Sequence, residues 1–180
     1  MKKLILSLVL LLSLSFSGFA QSHSMVIKTS PIALAFGNFN VTAEKTLGST
    51  SSVLFSVSYI YKLLGIEVNG FGAQAGYRYY FTNAKKEIPA GFYVNPQVGY
   101  SSNKFESIDV LGTGETETYK TSSINIGVEV GYQWVWDSGF ALDLGIGPKY
   151  YTMSGDTEQA SFSGTSGILP SLTFAIGYAF

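Results

Sequence analysis

Few side chains in this sequence can carry covalent or proton-transfer chemistry. Its 180 residues include one histidine, His23, and no cysteine. That removes disulfide scaffolds, thiol nucleophiles and Cys-ligated zinc, and leaves a single imidazole for any acid/base or metal role. The charges that stand out are Glu44, Arg78, Glu129, Asp143 and Lys149, because each interrupts a stretch of apolar, small or amide residues. A charge in a low-dielectric interior is costly unless it pairs or meets water. Arg78 is the natural hub of such a set, since its five donors can bridge two carboxylates such as Glu44 and Glu129. Two uses follow: a polar plug that holds neighbouring strands in register, or a path for protons or small ions. Gln74, Asn95, Gln97, Asn125 and Gln133 would share that interior. Gly112-Thr113-Gly114 lacks the Gly-Lys-Ser/Thr of a phosphate loop and reads as plain loop.

The elements that must position these charges have a period of two. From Ile124 to Trp136 one parity holds Ile124, Ile126, Val128, Val130, Tyr132, Trp134 and Trp136, and the other holds Asn125, Gly127, Glu129, Gly131, Gln133 and Val135. The segments 140–150 and 172–180 alternate in the same way. In a soluble sandwich the second face would carry Lys, Glu and Thr to meet water. Here it carries Gly, Ala, Ser, Gln and Asn, which suit the cramped interior of a narrow barrel. The bulky face therefore points outward, into lipid. A charged fraction of 13% with 15% aromatic residues fits the same reading, because a water-facing domain carries roughly 25% charge. Eleven basic against twelve acidic residues give no broad basic face for nucleic acid. No run of eighteen apolar residues follows the first twenty positions, so helical spans are excluded there.

Eight strands are expected, at 25–36, 38–47, 53–62, 70–81, 91–100, 122–136, 140–151 and 168–180. Pro31 and a shift of apolar parity in the first suggest a bulge. The fold class is an all-β, eight-stranded, antiparallel, up-and-down transmembrane β-barrel. Joints at 48–52, 82–90 and 137–139 would lie with the termini on the periplasmic side. Gly37 and the connections 63–69, 101–121 and 152–167 would face outside. Aromatic residues sort into two belts: Phe81, Phe92, Trp134, Trp136, Phe140, Tyr178 and Phe180 near one rim, and Tyr59, Tyr61, Phe71, Tyr100 and Tyr150 near the other. Met1-Lys2-Lys3, an apolar stretch and Gly18-Phe19-Ala20 give the order of a secretory signal peptide over residues 1–20, with the barrel over 21–180.

Phe180, preceded at spacings of two by Tyr178, Ile176 and Phe174, resembles the C-terminal strand signal that the barrel-assembly machinery of bacterial outer membranes recognises. The wider pattern comprises Lys28-Thr29-Ser30-Pro31, Phe36-Gly37-Asn38-Phe39-Asn40, Glu44, Gly76-Tyr77-Arg78-Tyr79-Tyr80-Phe81 and Gly91-Phe92-Tyr93. It resembles a family of small outer-membrane β-barrels found in Bacteroidota and carrying no assigned function. In architecture the chain is also similar to the eight-stranded attachment and invasion barrels. The resemblance implies a Gram-negative outer-membrane location; the leader adds export through the secretion machinery, the outward apolar face contact with outer-membrane lipid and lipopolysaccharide, and the closed edges of a small barrel a monomer. The expected role is non-catalytic, structural in the envelope or interactional through loops 101–121 and 152–167, with no cofactor and no metal. The alternative is a narrow channel for small ions or solutes. A lipid A-modifying enzyme is less favoured, because such families set a His beside a Ser near the membrane surface and His23 precedes the first strand.

Overall fold

A computed structural model describes residues 24–63, 66–81, 89–106, 118–155 and 166–180. Eight strands follow one another around a closed barrel, each antiparallel to its neighbours. They are β1 (Met25–Thr29), β2 (Asn38–Leu47), β3 (Ser51–Leu63), β4 (Ile66–Tyr80), β5 (Gly91–Glu106), β6 (Thr118–Val135), β7 (Phe140–Gly155) and β8 (Ser166–Ala179). Closure falls between β1 and β8, where Phe180 donates its N–H to Met25 O at 2.9 Å and Phe180 O accepts from Ser24 and Met25 at 3.0 Å. The lower rim is defined here as the one that carries these ends.

The bulky parity faces outward. Val128 is 45% exposed, and Phe55, Phe71, Ile126, Val130, Ile146 and Leu172 are exposed as well. The opposite parity turns inward: Glu44, Arg78, Asn95, Gln97, Glu129, Gln133 and Asp143 are buried. A water-soluble fold would hide the first set and show the second. The expected belt residues Phe81, Phe92, Trp136, Phe140 and Tyr178 near the lower rim, and Tyr59, Tyr61, Phe71, Tyr100 and Tyr150 above, all lie on the exposed face.

Glycine on the inner face makes room for the long polar side chains of the next strand. Gly127 faces Lys149 across the β6–β7 ladder, and a Cβ at Gly127 would sit 2.5 Å from Lys149 Cγ. At Gly145 it would meet Glu129 Oε1 and Tyr93 Oη, each at 2.6 Å. Outward-facing Pro96 and Pro148 interrupt the ladders, because proline has no N–H to donate. The β4–β5 register passes from Gly76↔Gln97 to Tyr79↔Val94, and β6–β7 from Gly127↔Lys149 to Val130↔Ile146.

The first strand differs from expectation. Instead of one bulged strand over 25–36, β1 stops at Thr29 and Pro31–Ala35 forms a short helix, α1. Proline at its start fixes a helical φ, and Ser30 Oγ caps it by accepting from Ala33 N at 3.2 Å. The upper strands also run further than the alternation indicated. Within the connection expected at 101–121, residues 101–106 and 118–121 are strand. Within 152–167, residues 152–155 and 166–167 are strand. Residues 107–117 and 156–165 lie outside the described residues, as do the expected signal segment 1–20 and His23. A strand of β6's length spans about 45 Å along the barrel axis at a typical tilt, against an apolar band of ~25 Å in membrane barrels. β5 to β7 therefore project well past the upper aromatic belt.

Candidate functional site

The inward residues sort into layers along the barrel axis. At the lower rim, Val26, Ala141 and Ala179 pack as a small apolar cluster with Val135 against it, and Pro89 and Ala90 are buried as well. Directly above lies a network built from seven strands, β1 to β7. Lys28 on β1 donates to Glu44 Oε2 at 2.6 Å, Asp143 Oδ2 at 2.7 Å and Gln133 Oε1 at 2.6 Å. Arg78 on β4 donates to the same three acceptors: Glu44 Oε2 at 3.2 Å, Gln133 Oε1 at 2.9 Å and Asp143 Oδ2 at 2.7 Å. Its guanidinium carbon lies 3.8 Å from the centre of the Tyr93 ring, a cation–π contact.

Both oxygens of each carboxylate accept hydrogen bonds. Glu44 also accepts from Ser52 Oγ at 2.6 Å and from the Tyr80 hydroxyl, and Asp143 accepts from the Tyr93 hydroxyl at 2.8 Å. Gln133 closes the layer downward by donating to Pro89 O. All of these groups are almost wholly removed from solvent. Their desolvation is offset only because each oxygen finds a donor at good distance.

Glu129 stands higher, accepting from Thr173 Oγ1 at 2.7 Å and the Tyr93 hydroxyl at 3.2 Å. Lys149 reaches across the lumen from β7 to Gln74 Oε1 on β4 at 2.9 Å, and Gln74 donates to Gln97 on β5. Counting both levels, the described lumen holds three cations, Lys28, Arg78 and Lys149, and three carboxylates, Glu44, Glu129 and Asp143. Among the described residues the interior is thus charge-balanced.

All five charges singled out in the sequence point inward, but they do not form one cluster. Glu44, Arg78 and Asp143 meet; Glu129 joins them only through Tyr93, and Lys149 stands apart. The expected bridge from Arg78 to Glu129 is corrected: Arg78 pairs with Glu44 and Asp143. Sequence reasoning missed Lys28, which occupies the same pair of carboxylates, and the inward tyrosines Tyr80 and Tyr93. Of the terminal residues, Phe174 and Tyr178 lie exposed on the outer face and Ile176 is half-buried. Phe180 closes the seam through its backbone, with its ring 6.5 Å from that of Tyr178.

These features define a class: a closed eight-stranded barrel, apolar outside, with a polar interior whose described charges balance. Residues 5–163 match the family described as "Protein of unknown function (DUF3575)", and the chain belongs to that family. Among solved structures it is similar to the Yersinia pestis outer membrane protein Ail in a phospholipid bilayer nanodisc. The identity is 12% and the TM-score 0.43, covering 87% of this chain and 98% of that one. No curated protein matches the chain.

Proposed function

We propose that this chain is an integral barrel of the bacterial outer membrane, non-catalytic and sealed, whose role is structural in the envelope or interactional at the cell surface. One observation carries the reading: bulky side chains cover the outside of the wall while six charges are folded inside. Lipid is the solvent that makes this arrangement favourable, and a closed barrel is the only β-structure whose backbone is satisfied there. Residues 1–20 supply the export signal in this reading, and Phe174, Ile176, Tyr178 and Phe180 the strand that the assembly machinery recognises. The barrel works as a monomer, in a Gram-negative envelope of the Bacteroidota type.

The surface-facing part is sheet as well as loop. Above Tyr100 and Ile124 the walls of β5 and β6 turn polar, with Ser101, Ser102, Asn103, Lys104, Lys120, Thr121 and Ser122. Lys104 and Lys120 are paired in register and exposed. Like charges directly opposite one another are unfavourable, and lipopolysaccharide phosphates just beyond the aromatic belt would relieve them.

The network around Arg78 fills the lower lumen, which in a barrel of this size is barely wide enough for its own side chains. The test is fractionation of cells with heat-modifiable gel mobility, followed by planar-bilayer recording of the purified protein. The expected result is an outer-membrane species that shifts on heating and conducts nothing. Discrete conductance steps that change in Arg78→Ala would establish the narrow channel instead. Release by high salt would overturn the membrane reading.

A further inference from the structure

The upper lumen holds buried polar groups that the described residues leave unsatisfied. Lys149 is 9% exposed, its ammonium donates to the Gln74 amide oxygen, and it makes no direct ion pair with a described carboxylate, feeling the Glu129 charge only from a distance. Gln97 Nε2, Ser123 Oγ and the side-chain oxygens of Asn95 and Asn125 are buried without partners. An asparagine amide can present N–H in place of oxygen by a half-turn. An ammonium with amide and hydroxyl donors in a site removed from water is the complement of an oxyanion.

The wall beside Lys149 is incomplete. Because β1 ends at Thr29, its ladder with β8 stops at Thr29↔Ile176, and residues 166–175 of β8 have no strand on that side. On the opposite flank, residues 38–41 of β2 lack a β1 partner. α1 stands at this notch with Ile32, Leu34 and Phe36 exposed. Leu169 pairs with Lys149 and shares its lumen-facing parity, yet it is 52% exposed. Phe180 directs its N–H toward β1, so strand alternation aims that of position 170 into the notch. Proline there removes a donor that would otherwise be stranded.

We propose that the upper lumen binds an oxyanion, held by Lys149 with Gln97, Ser123 and Asn125, and reached through the notch beside Leu169. The oxyanion is a phosphate or carboxylate, either free or at the head of an amphiphile whose chain lies along Leu169 and Leu172. This site requires the barrel fold but neither its cellular location nor a sealed lumen.

Amide NMR of the refolded chain tests it in two arms. One titrates inorganic phosphate into protein in zwitterionic detergent. The other compares phosphatidylcholine nanodiscs with and without phosphatidylglycerol. Saturable shifts at Gln97, Ser123, Asn125 and Lys149 are expected. Shifts with phosphate identify a free oxyanion, and shifts with phosphatidylglycerol that extend to Leu169 and Leu172 identify an amphiphile. Lys149→Met should weaken binding roughly tenfold or more, the scale of a lost charge-assisted contact, and Lys149→Arg should retain it. Gln97→Leu, which keeps the charge, should weaken it less and serves if Lys149→Met does not fold. Absence of saturable shifts at these amides in both arms, or unchanged affinity in Lys149→Met, overturns the site. A protein that conducts or fractionates elsewhere but still binds would overturn the proposed function and leave the site standing.

Discussion

Arg78 and Lys28 share Glu44 and Asp143 so completely that removing either cation leaves a buried carboxylate short of charge. Breaking a buried pair from one side costs about 3–5 kcal/mol. Arg78→Met and Lys28→Met are each expected to lose that much in urea unfolding of the refolded barrel. Lys45→Met, whose exposed ammonium donates to Ser24 Oγ at 3.0 Å, should stay within ~0.5 kcal/mol of the parent. A loss under about 1 kcal/mol in Arg78→Met would show that the network is not what holds the lower lumen. The inward charges of the long strands were legible because alternation alone assigns their face. Lys28 was not, since β1 offers only Val26 and Lys28 as buried inward positions. Tyr80 and Tyr93 were missed because an inward tyrosine has the same chemistry as a belt tyrosine. That Arg78 finds Asp143 depends on how β4 and β7, which are not neighbours, approach across the lumen, and barrel closure rather than local spacing sets that.

At the scale of the element, each strand has two faces with opposite tolerances. Val128 lies on the outer face midway along β6, so Val128→Arg should cost about 2–4 kcal/mol if that position sits near the bilayer midplane. Gly127, one residue earlier, has no room for a side chain against Lys149 Cγ. Gly127→Val should therefore impair folding although it makes the strand a better β-former, and heat-modifiable mobility reads both outcomes. The bounds of β2 were legible to the residue, as was the start of β5. The ends of β5 to β8 were not, because Ser, Thr and Asn beyond the aromatic belt look like loop but continue the ladder in register from Ser101↔Ser123 to Glu106↔Thr118. The helix α1 was overlooked for a different reason: five residues are too few to display a 3.6-residue period. Its signal was the cap and the proline. Ser30→Ala should cost about 1 kcal/mol in the local stability of that segment, read as faster amide exchange at Ala33.

For the whole molecule, the central claim is the direction in which its two faces point. The chain has no native cysteine, so single cysteines can carry nitroxide labels at Ile124, Asn125, Ile126, Val128, Glu129 and Val130 without background. Accessibility of these labels in phospholipid bilayers to oxygen and to a water-soluble nickel chelate tests the claim most directly. At Ile124, Ile126, Val128 and Val130 the account predicts high oxygen and low nickel accessibility, with oxygen rising toward Val128. At the intervening positions the labels should be immobilised and shielded from oxygen. Nickel accessibility at the even positions, with the odd ones alike or reversed, would contradict the account, because those bulky side chains would then face water.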